Sequence, residues 1–216
     1  MLKQRWLAVA GVCIAAAAGA CSDASTTPRT GRVVVKLTDA PFPLDSLESV
    51  DIFVVRVDAR TADVPEAEAE AAETEESEAE SKGWTTLATP EASIDLLTLQ
   101  NGTTTTLGET SLTEGSYAGL RLVIDPSKSS ITLKSGETLT GGTTPGVTFP
   151  SGSRTGIKIV LTKPLEVEGD ETTTMVLDFD VANSFVMRGE SLARNGLLFK
   201  PVVKGEWKAG TTTATP

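Results

Sequence analysis

Residues 173–181 read Thr-Thr-Met-Val-Leu-Asp-Phe-Asp-Val, and apolar and polar side chains alternate along this stretch. Met175, Leu177 and Phe179 fall on one face of an extended chain, and Asp178 falls on the other. A period of two residues is typical of a β-strand that has one buried face. The stretch therefore predicts a strand that covers a hydrophobic core.

The same alternation recurs along most of the chain, and residues that favour turns separate the alternating segments. Strands are predicted over residues 32–38, 50–57, 84–88, 116–124, 130–134, 156–162, 173–181, 184–188 and 197–207. Short helical turns are predicted at residues 43–49 and 94–100. Pro201 marks an edge or a bulge in the last strand, because proline cannot donate to a sheet. Within residues 116–124, we expect Ala118 to face the core and Arg121 to face solvent.

Several short strands joined by glycine- and proline-containing turns predict an all-β chain. We expect a single antiparallel β-sandwich of the immunoglobulin or transthyretin type over residues 31–207. A hydrophobic content of 39% is sufficient for a core of this kind.

The amino terminus has the parts of a secretory signal. Lys3 and Arg5 form a positive segment, and residues 6–20 are uncharged and rich in alanine. A helix over those residues would span about 22 Å, which falls short of the ~30 Å hydrocarbon core of a bilayer. Residues 1–20 are therefore predicted to be a signal peptide and not a permanent membrane span.

Ala18-Gly19-Ala20-Cys21 resembles the bacterial lipobox, in which small residues precede the cysteine that receives a diacylglycerol. The resemblance implies cleavage before Cys21, lipid attachment to its sulfur, and a flexible tether over residues 21–30. We expect an exported protein that is anchored by lipid to a membrane of the bacterial cell envelope, at the outer membrane or the periplasmic face. The alternative is an ordinary secreted protein with one stray cysteine. Because Cys13 lies in the signal peptide, no thiol would remain for a disulfide.

The composition excludes several classes of function. The chain has 29 acidic and 19 basic side chains, a formal charge of -10 and no histidine. Nucleic acids require clusters of lysine and arginine, so no nucleic-acid partner is expected. Without histidine there is no Ser-His-Asp relay and no imidazole zinc site. Residues 152–158 lack the Gly-Lys-Ser/Thr ending of a phosphate-binding loop, and no cofactor is expected.

Residues 66–80 break the strand pattern, because eight of these 15 residues are glutamate. Such a run cannot bury apolar area, and its like charges repel one another. Residues 63–82 are therefore predicted to be an acidic disordered insertion, and residues 208–216 a disordered tail. The alternative role of the glutamates is as a ligand for calcium or for a basic partner.

Three aspartates are candidates for chemistry. Asp39 ends the first predicted strand, where an aspartate suits a turn that accepts backbone N–H groups. Asp178 and Asp180 alternate on one face of the strand over residues 173–181. We expect structural use of all three, and we assign no catalytic or metal-binding residue. The alternatives are a calcium site, which needs about six to eight oxygen ligands, and a glycosidase acid–base pair.

Several motifs together resemble a known family. They are Gly31-Arg32-Val33, Leu37-Thr38-Asp39-Ala40-Pro41, Ile94-Asp95-Leu96-Leu97, Asn101-Gly102, Gly115-Ser116-Tyr117, Leu120-Arg121-Leu122, Gly156-Ile157-Lys158, Leu177-Asp178-Phe179-Asp180 and Lys200-Pro201-Val202. In this order they resemble the domain of unknown function 4382, a family of bacterial and archaeal lipoproteins, over roughly residues 30–205. The resemblance implies the architecture and an envelope location, and it transfers no catalytic residue.

We expect a non-enzymatic binding or structural lipoprotein whose exposed loops contact an envelope protein or a glycan. The alternatives are a metal- or carboxylate-dependent hydrolase and a glycan-binding module on the same sandwich. Stacking of sugars would depend on Trp84, Trp207 or Phe42. The hydrolase would need its aspartates together in one cleft with raised pKa values.

Overall fold

The computed structural model describes residues 28–39, 46–71, 83–149, 156–190 and 192–210. Most of these residues lie in β-strands, which confirms the prediction of an all-β chain. The strands are β1 (Thr30–Asp39), β2 (Leu47–Thr61), β3 (Trp84–Ala88), β4 (Ala92–Asp95), β5 (Thr105–Thr113), β6 (Gly115–Ile124), β7 (Ser130–Leu133), β8 (Thr138–Thr140), β9 (Val147–Thr148), β10 (Ile157–Leu161), β11 (Leu165–Val167), β12 (Thr172–Phe179), β13 (Phe185–Met187), β14 (Leu197–Phe199) and β15 (Val203–Ala209).

Helices in the described residues are short. They are α1 (Glu66–Ala71), a 3-10 helix over Leu96–Leu99, α2 (Val181–Ser184) and α3 (Leu192–Asn195). Within this part of the chain, no helix has the length and apolar character needed to cross a membrane.

The large sheet follows the order β5-β1-β12-β15-β10-β6-β2-β7-β8, with β11 beside β6 and both β3 and β4 beside β2. The first half of this order, β5-β1-β12-β15-β10, is curled into a half-barrel. Strand β10 joins the two halves, because Ile159 pairs with β6 whereas Val160 pairs with β15. A separate small sheet has the order β13-β14-β9.

The prediction of a purely antiparallel sheet is wrong. β1 pairs with β12 in parallel, and the pairs β10–β15 and β14–β9 are also parallel. Parallel neighbours require long connections, and more than 130 residues separate β1 from β12 in sequence. Alternation along one strand carries no information about such a distant partner. The finer expectation of a two-layer sandwich of immunoglobulin or transthyretin type stays a prediction.

The core forms where the alternating faces of neighbouring strands meet. Val35 lies opposite Met175, and Leu37 lies opposite Leu177, in the parallel pair of β1 and β12. All four side chains are fully buried. Burying each aliphatic side chain contributes about 1.5–3 kcal/mol, so the faces predicted at residues 32–38 and 173–181 hold the two strands together.

The bounds of several predicted strands and helical turns differ from those in the structure. Residues 197–207 form two strands, β14 and β15, and Pro201 lies in the break between them. The helical turn predicted at 94–100 is confirmed over Leu96–Leu99 as the 3-10 helix, in which the Asp95 side chain accepts a hydrogen bond from the Leu97 N–H. The turn predicted at 43–49 is wrong from Leu47 onward, because β2 begins there; residues 43–45 lie outside the described residues. Strand β5 was not predicted, since its threonine-rich sequence has little apolar contrast.

The acidic insertion predicted over residues 63–82 also needs correction. Helix α1 covers its six residues Glu66–Ala71. Alternating alanine favours a helix, and the carboxylate of Glu66 lies in the first turn, where the helix dipole stabilises a negative charge. Residues 72–82 lie outside the described residues. The tail predicted over residues 208–216 is wrong at residues 208 and 209, which belong to β15, and residues 211–216 lie outside the described residues.

Candidate functional site

Cross-strand register brings charged side chains of three strands, and two uncharged side chains of a fourth, into neighbouring rows. In the first row Asp58 on β2 lies opposite Thr86 on β3 and Arg121 on β6, and Arg121 in turn lies opposite Lys158 on β10. In the second row Arg60 lies between Trp84 on β3 and Gly119 on β6. Side chains two residues apart on a strand share a face, so the two rows form one continuous polar surface.

Asp58 is the centre of the first row and is only 2% exposed. Its Oδ2 accepts hydrogen bonds from Arg121 Nε at 2.8 Å and from Arg56 Nε at 3.0 Å. Its Oδ1 accepts a bond from the Thr86 hydroxyl at 2.9 Å. A buried carboxylate is tolerated when charged donors satisfy it, and Asp58 thereby fixes Arg121 at the surface formed by β2 and β6.

Trp84 holds the two guanidinium groups of the site together. The guanidinium carbon of Arg121 lies 4.3 Å from the centre of the Trp84 ring, and that of Arg60 lies 5.9 Å from it. Both distances are in the range of cation–π attraction. The prediction that Arg121 faces solvent is wrong, because Trp84 and Asp58 cover it and leave it 3% exposed. Ala118, predicted to face the core, is exposed instead.

A cleft of about 200 Å³ opens on this surface, and we call it the Arg60 cleft. Its lining includes Arg60, Glu66, Trp84, Gly119, Arg121 and Lys158. Glu66 Oε1 lies 2.6 Å from Lys158 Nζ, so the start of α1 contacts one wall of the cleft. The hydrogen bond and the charge of Lys158 lower the pKa of Glu66 below its ordinary value.

Two buried donors of the cleft are unsatisfied. Arg60 Nε and Trp84 Nε1 have no hydrogen-bond partner among the described residues. Arg60 uses another nitrogen, Nη1, to donate to the carbonyl of Val64. A Cβ at position 119 would lie 3.0 Å from Arg60 Nε, so the absence of a side chain at Gly119 makes room for the guanidinium. Because the guanidinium and the indole N–H only donate, these two groups could be satisfied only by an acceptor such as an oxygen atom.

The predicted candidate aspartates lie elsewhere and have different environments. Asp39 is buried on the core face of β1, and its Oδ1 accepts a bond from the Val181 N–H at 3.2 Å. Asp180 caps α2 by accepting from the Asn183 N–H at 3.1 Å. Asp178 lies on the opposite face of β12 from the buried Phe179. The described residues contain no group of three or more aspartate, glutamate, histidine or cysteine side chains that could hold a metal ion.

Burial raises the pKa of Asp178 above its ordinary value of 3.8; Lys204 opposes this effect, and Asp180 and Glu206 add to it. Because the folded pKa exceeds the unfolded one, this group's contribution to stability falls as pH rises from the unfolded pKa through the folded pKa. We predict that Asp178→Asn unfolds at a higher temperature than the wild type at neutral pH. The difference should vanish in acid, where Asp178 is protonated in both states.

Thermal unfolding of the two proteins from about pH 3 to about pH 7 measures this difference. Asp170→Asn, at an exposed aspartate, is the control and should show no growing advantage with pH. If Asp178→Asn is less stable than the wild type at neutral pH, the charged form of Asp178 is favoured by the fold and the prediction is wrong.

The aromatic side chains suggested for sugar stacking either contact cationic side chains or lie outside the described residues. The Trp84 ring is in contact with Arg121, as described above. Lys163 Nζ lies 4.1 Å from the centre of the Trp207 ring, and Trp207 Nε1 donates to the carbonyl of Pro164 at 2.8 Å. Phe42 and the predicted lipid-attachment residue Cys21 lie outside the described residues.

The residues of the Arg60 cleft were not identified from the sequence, apart from Trp84. One available signal was the order Arg56-Val57-Asp58-Ala59-Arg60, in which charges alternate with apolar residues at the end of a central strand. A second was Arg121 inside an apolar strand. Charges at a period of two on neighbouring strands indicate a paired polar face, but only the register shows which charges meet.

Comparison with known proteins gives one family. The family model described as Domain of unknown function (DUF4382) matches residues 30–201. The match includes every residue of the cleft named above. No curated protein matches the chain.

Proposed function

Because the chain belongs to the DUF4382 family of domains of unknown function, we propose from the site itself that it is a non-enzymatic binding module of the bacterial cell envelope, and that it binds an anionic group in the Arg60 cleft. The observation that carries the proposal is the pair of buried, unsatisfied donors, Arg60 Nε and Trp84 Nε1. Leaving such a donor unpaired costs about 1–3 kcal/mol. A ligand with oxygen acceptors would recover that cost.

Charge supports the same ligand class. Arg60, Arg121 and Lys158 line the cleft, and Glu66 is the acidic side chain in its lining. The formal charge of the whole chain is -10, so this cationic cleft is a local departure from the overall charge. An anion would be attracted to the cleft and repelled by most of the remaining surface.

A binding role is favoured over hydrolysis by the environments of the aspartates. Asp39 and Asp180 accept backbone hydrogen bonds, which are structural uses. Glycan stacking is not favoured, because cationic side chains contact the rings of Trp84 and Trp207. We propose further that a lipid on Cys21 tethers the module to an envelope membrane. Support comes from the small residues at positions 18–20 and the polar residues that follow Cys21.

The proposal includes the layered, sandwich-type arrangement of the two halves of the large sheet. It is supported by two points at which the halves approach each other. Strand β10 belongs to both halves, and β3 of one half packs against β5 of the other. A Cβ at Gly108 on β5 would lie 2.9 Å from the Cβ of Ala88 on β3. An experimental structure with an open, single-layer sheet would contradict this arrangement.

Anion binding is tested by titrating the detergent-solubilised full chain with three probes: polyglutamate, polygalacturonate and inorganic phosphate. We predict that at least one binds, that added salt weakens it, and that Lys158→Gln weakens it at least fivefold. Lys158 is largely exposed, so this variant should fold normally. Calorimetry gives the affinities.

Lys163→Gln is the matched control for this titration. It removes one exposed lysine near Trp207, outside the cleft, and should leave the affinity close to that of the wild type. If no probe binds the wild type, or if both lysine variants lose affinity equally, the cleft is not the anion site and the proposed function is wrong.

A further inference from the structure

Glu66 places a carboxylate of the chain itself against the Arg60 cleft. Its Oε1 lies 2.6 Å from Lys158 Nζ, and the two residues are 92 positions apart in sequence. Glu66 begins α1 directly after Pro65, so the start of the glutamate-rich segment is held beside the cationic wall. Lys158 is 65% exposed and Glu66 is 50% exposed, so their ion pair is a weak and reversible contact.

The contact leaves deeper donors of the cleft unused. Arg60 is 8% exposed, and its Nε has no partner among the described residues; the same holds for Trp84 Nε1. Glu66 therefore pairs with Lys158 at the wall but accepts no hydrogen bond from Arg60 Nε or Trp84 Nε1. A carboxylate that enters the cleft in place of Glu66 would meet these two donors as well as Lys158.

The size of the cleft restricts what that acceptor can be. Its volume is about 200 Å³, whereas pockets for small molecules start near 300 Å³. A volume of that size suits one acidic side chain better than a sugar oligomer. The group already seated at the wall is itself a polypeptide glutamate, followed by further glutamates at positions 68 and 70.

We propose that the Arg60 cleft binds a carboxylate side chain of an acidic polypeptide segment in another protein, and that Glu66 is an internal competitor for this site. The inference rests on the proposed function. It adds the class of partner and the contact of Glu66 with Lys158, which restricts the partner's access to the cleft. In the unbound protein Glu66 holds Lys158; binding of the partner separates Glu66 from Lys158. The apparent affinity is then reduced by the fraction of molecules in which Glu66 occupies the wall.

The test measures binding of a fluorescent peptide that copies residues 63–72 to the detergent-solubilised full chain, by fluorescence anisotropy. We expect Glu66→Gln to bind this peptide at least threefold more tightly than the wild type. Glu68→Gln is the matched control. It removes the same charge two residues further along α1, where Glu68 is exposed. Its affinity should equal that of the wild type. A peptide with every glutamate replaced by glutamine should not bind.

The outcomes separate the inference from the proposed function. Equal affinities for the wild type, Glu66→Gln and Glu68→Gln would overturn the role of Glu66 as a competitor. Binding of polygalacturonate or phosphate, but not of the acidic peptide, would overturn the class of partner and leave the anion site intact. Failure of every anion to bind the wild type would instead overturn the proposed function, and the inference with it.

Discussion

Asp58→Asn is expected to lower the free energy of unfolding by about 3–5 kcal/mol, the range found when one partner of a buried ion pair is removed. Asp58 is 2% exposed and Arg121 is 3% exposed. The asparagine keeps the shape of the side chain but removes the charge that compensates Arg121 at 2.8 Å. The stranded guanidinium cannot reach water without disturbing Trp84, which lies against it. Denaturant unfolding measures the loss.

Asp170→Asn provides the control, because it also removes one carboxylate paired with an arginine. The Arg29–Asp170 pair is exposed, with side-chain exposures of 61% and 81%, and such pairs contribute about 0–1 kcal/mol. Adding Arg121→Met to Asp58→Asn should recover part of the loss, since the cost lies in an unpaired buried charge. Similar losses for Asp58→Asn and Asp170→Asn would show that burial of Asp58 has no energetic consequence.

Cys21→Ser is expected to move the protein almost completely from membranes to the soluble fraction. A lipid chain contributes about 0.8 kcal/mol for each CH₂ group that it buries, and two or more chains make a stable anchor. Serine has no sulfur to receive the lipid. Fractionation of cells that express the full chain, followed by a high-salt wash of the membranes, measures the distribution.

Cys13→Ser is the matched control, because it changes the other cysteine of the chain to the same residue. Cys13 lies inside the predicted signal peptide, so this variant should remain with the membranes. Retention of Cys21→Ser on washed membranes would mean that something other than a lipid on Cys21 holds the protein there. Release of both variants would point to a general effect on export.

The strands themselves were largely predictable. Residues 84–88 were predicted as a strand and form β3, and the face of Met175, Leu177 and Phe179 is fully buried as expected. These features follow from a local rule, since side chains alternate across any extended backbone. The rule failed at β5, where threonine and glycine give little contrast between the two faces.

The cleft was not predictable in the same way, and Arg121 shows why. Alternation within β6 placed it on the solvent side, and it does lie on the face opposite Leu120 and Leu122. That face is nevertheless covered, because β2 lies beside β6 and carries Asp58, and β3 lies beyond β2 and carries Trp84. The neighbours of Arg121 are therefore 63 and 37 positions away in sequence.

The amino-acid sequence by itself determined the all-β class, most strand positions and the buried faces, because a two-residue period is a property of each strand alone. Tertiary structure decided the parallel pairing of β1 with β12 and the meeting of Asp58, Arg60, Arg121 and Lys158 in one surface. Pairing between distant strands is set by the burial of whole faces against one another, and the partners that compensate a buried charge are chosen by that pairing.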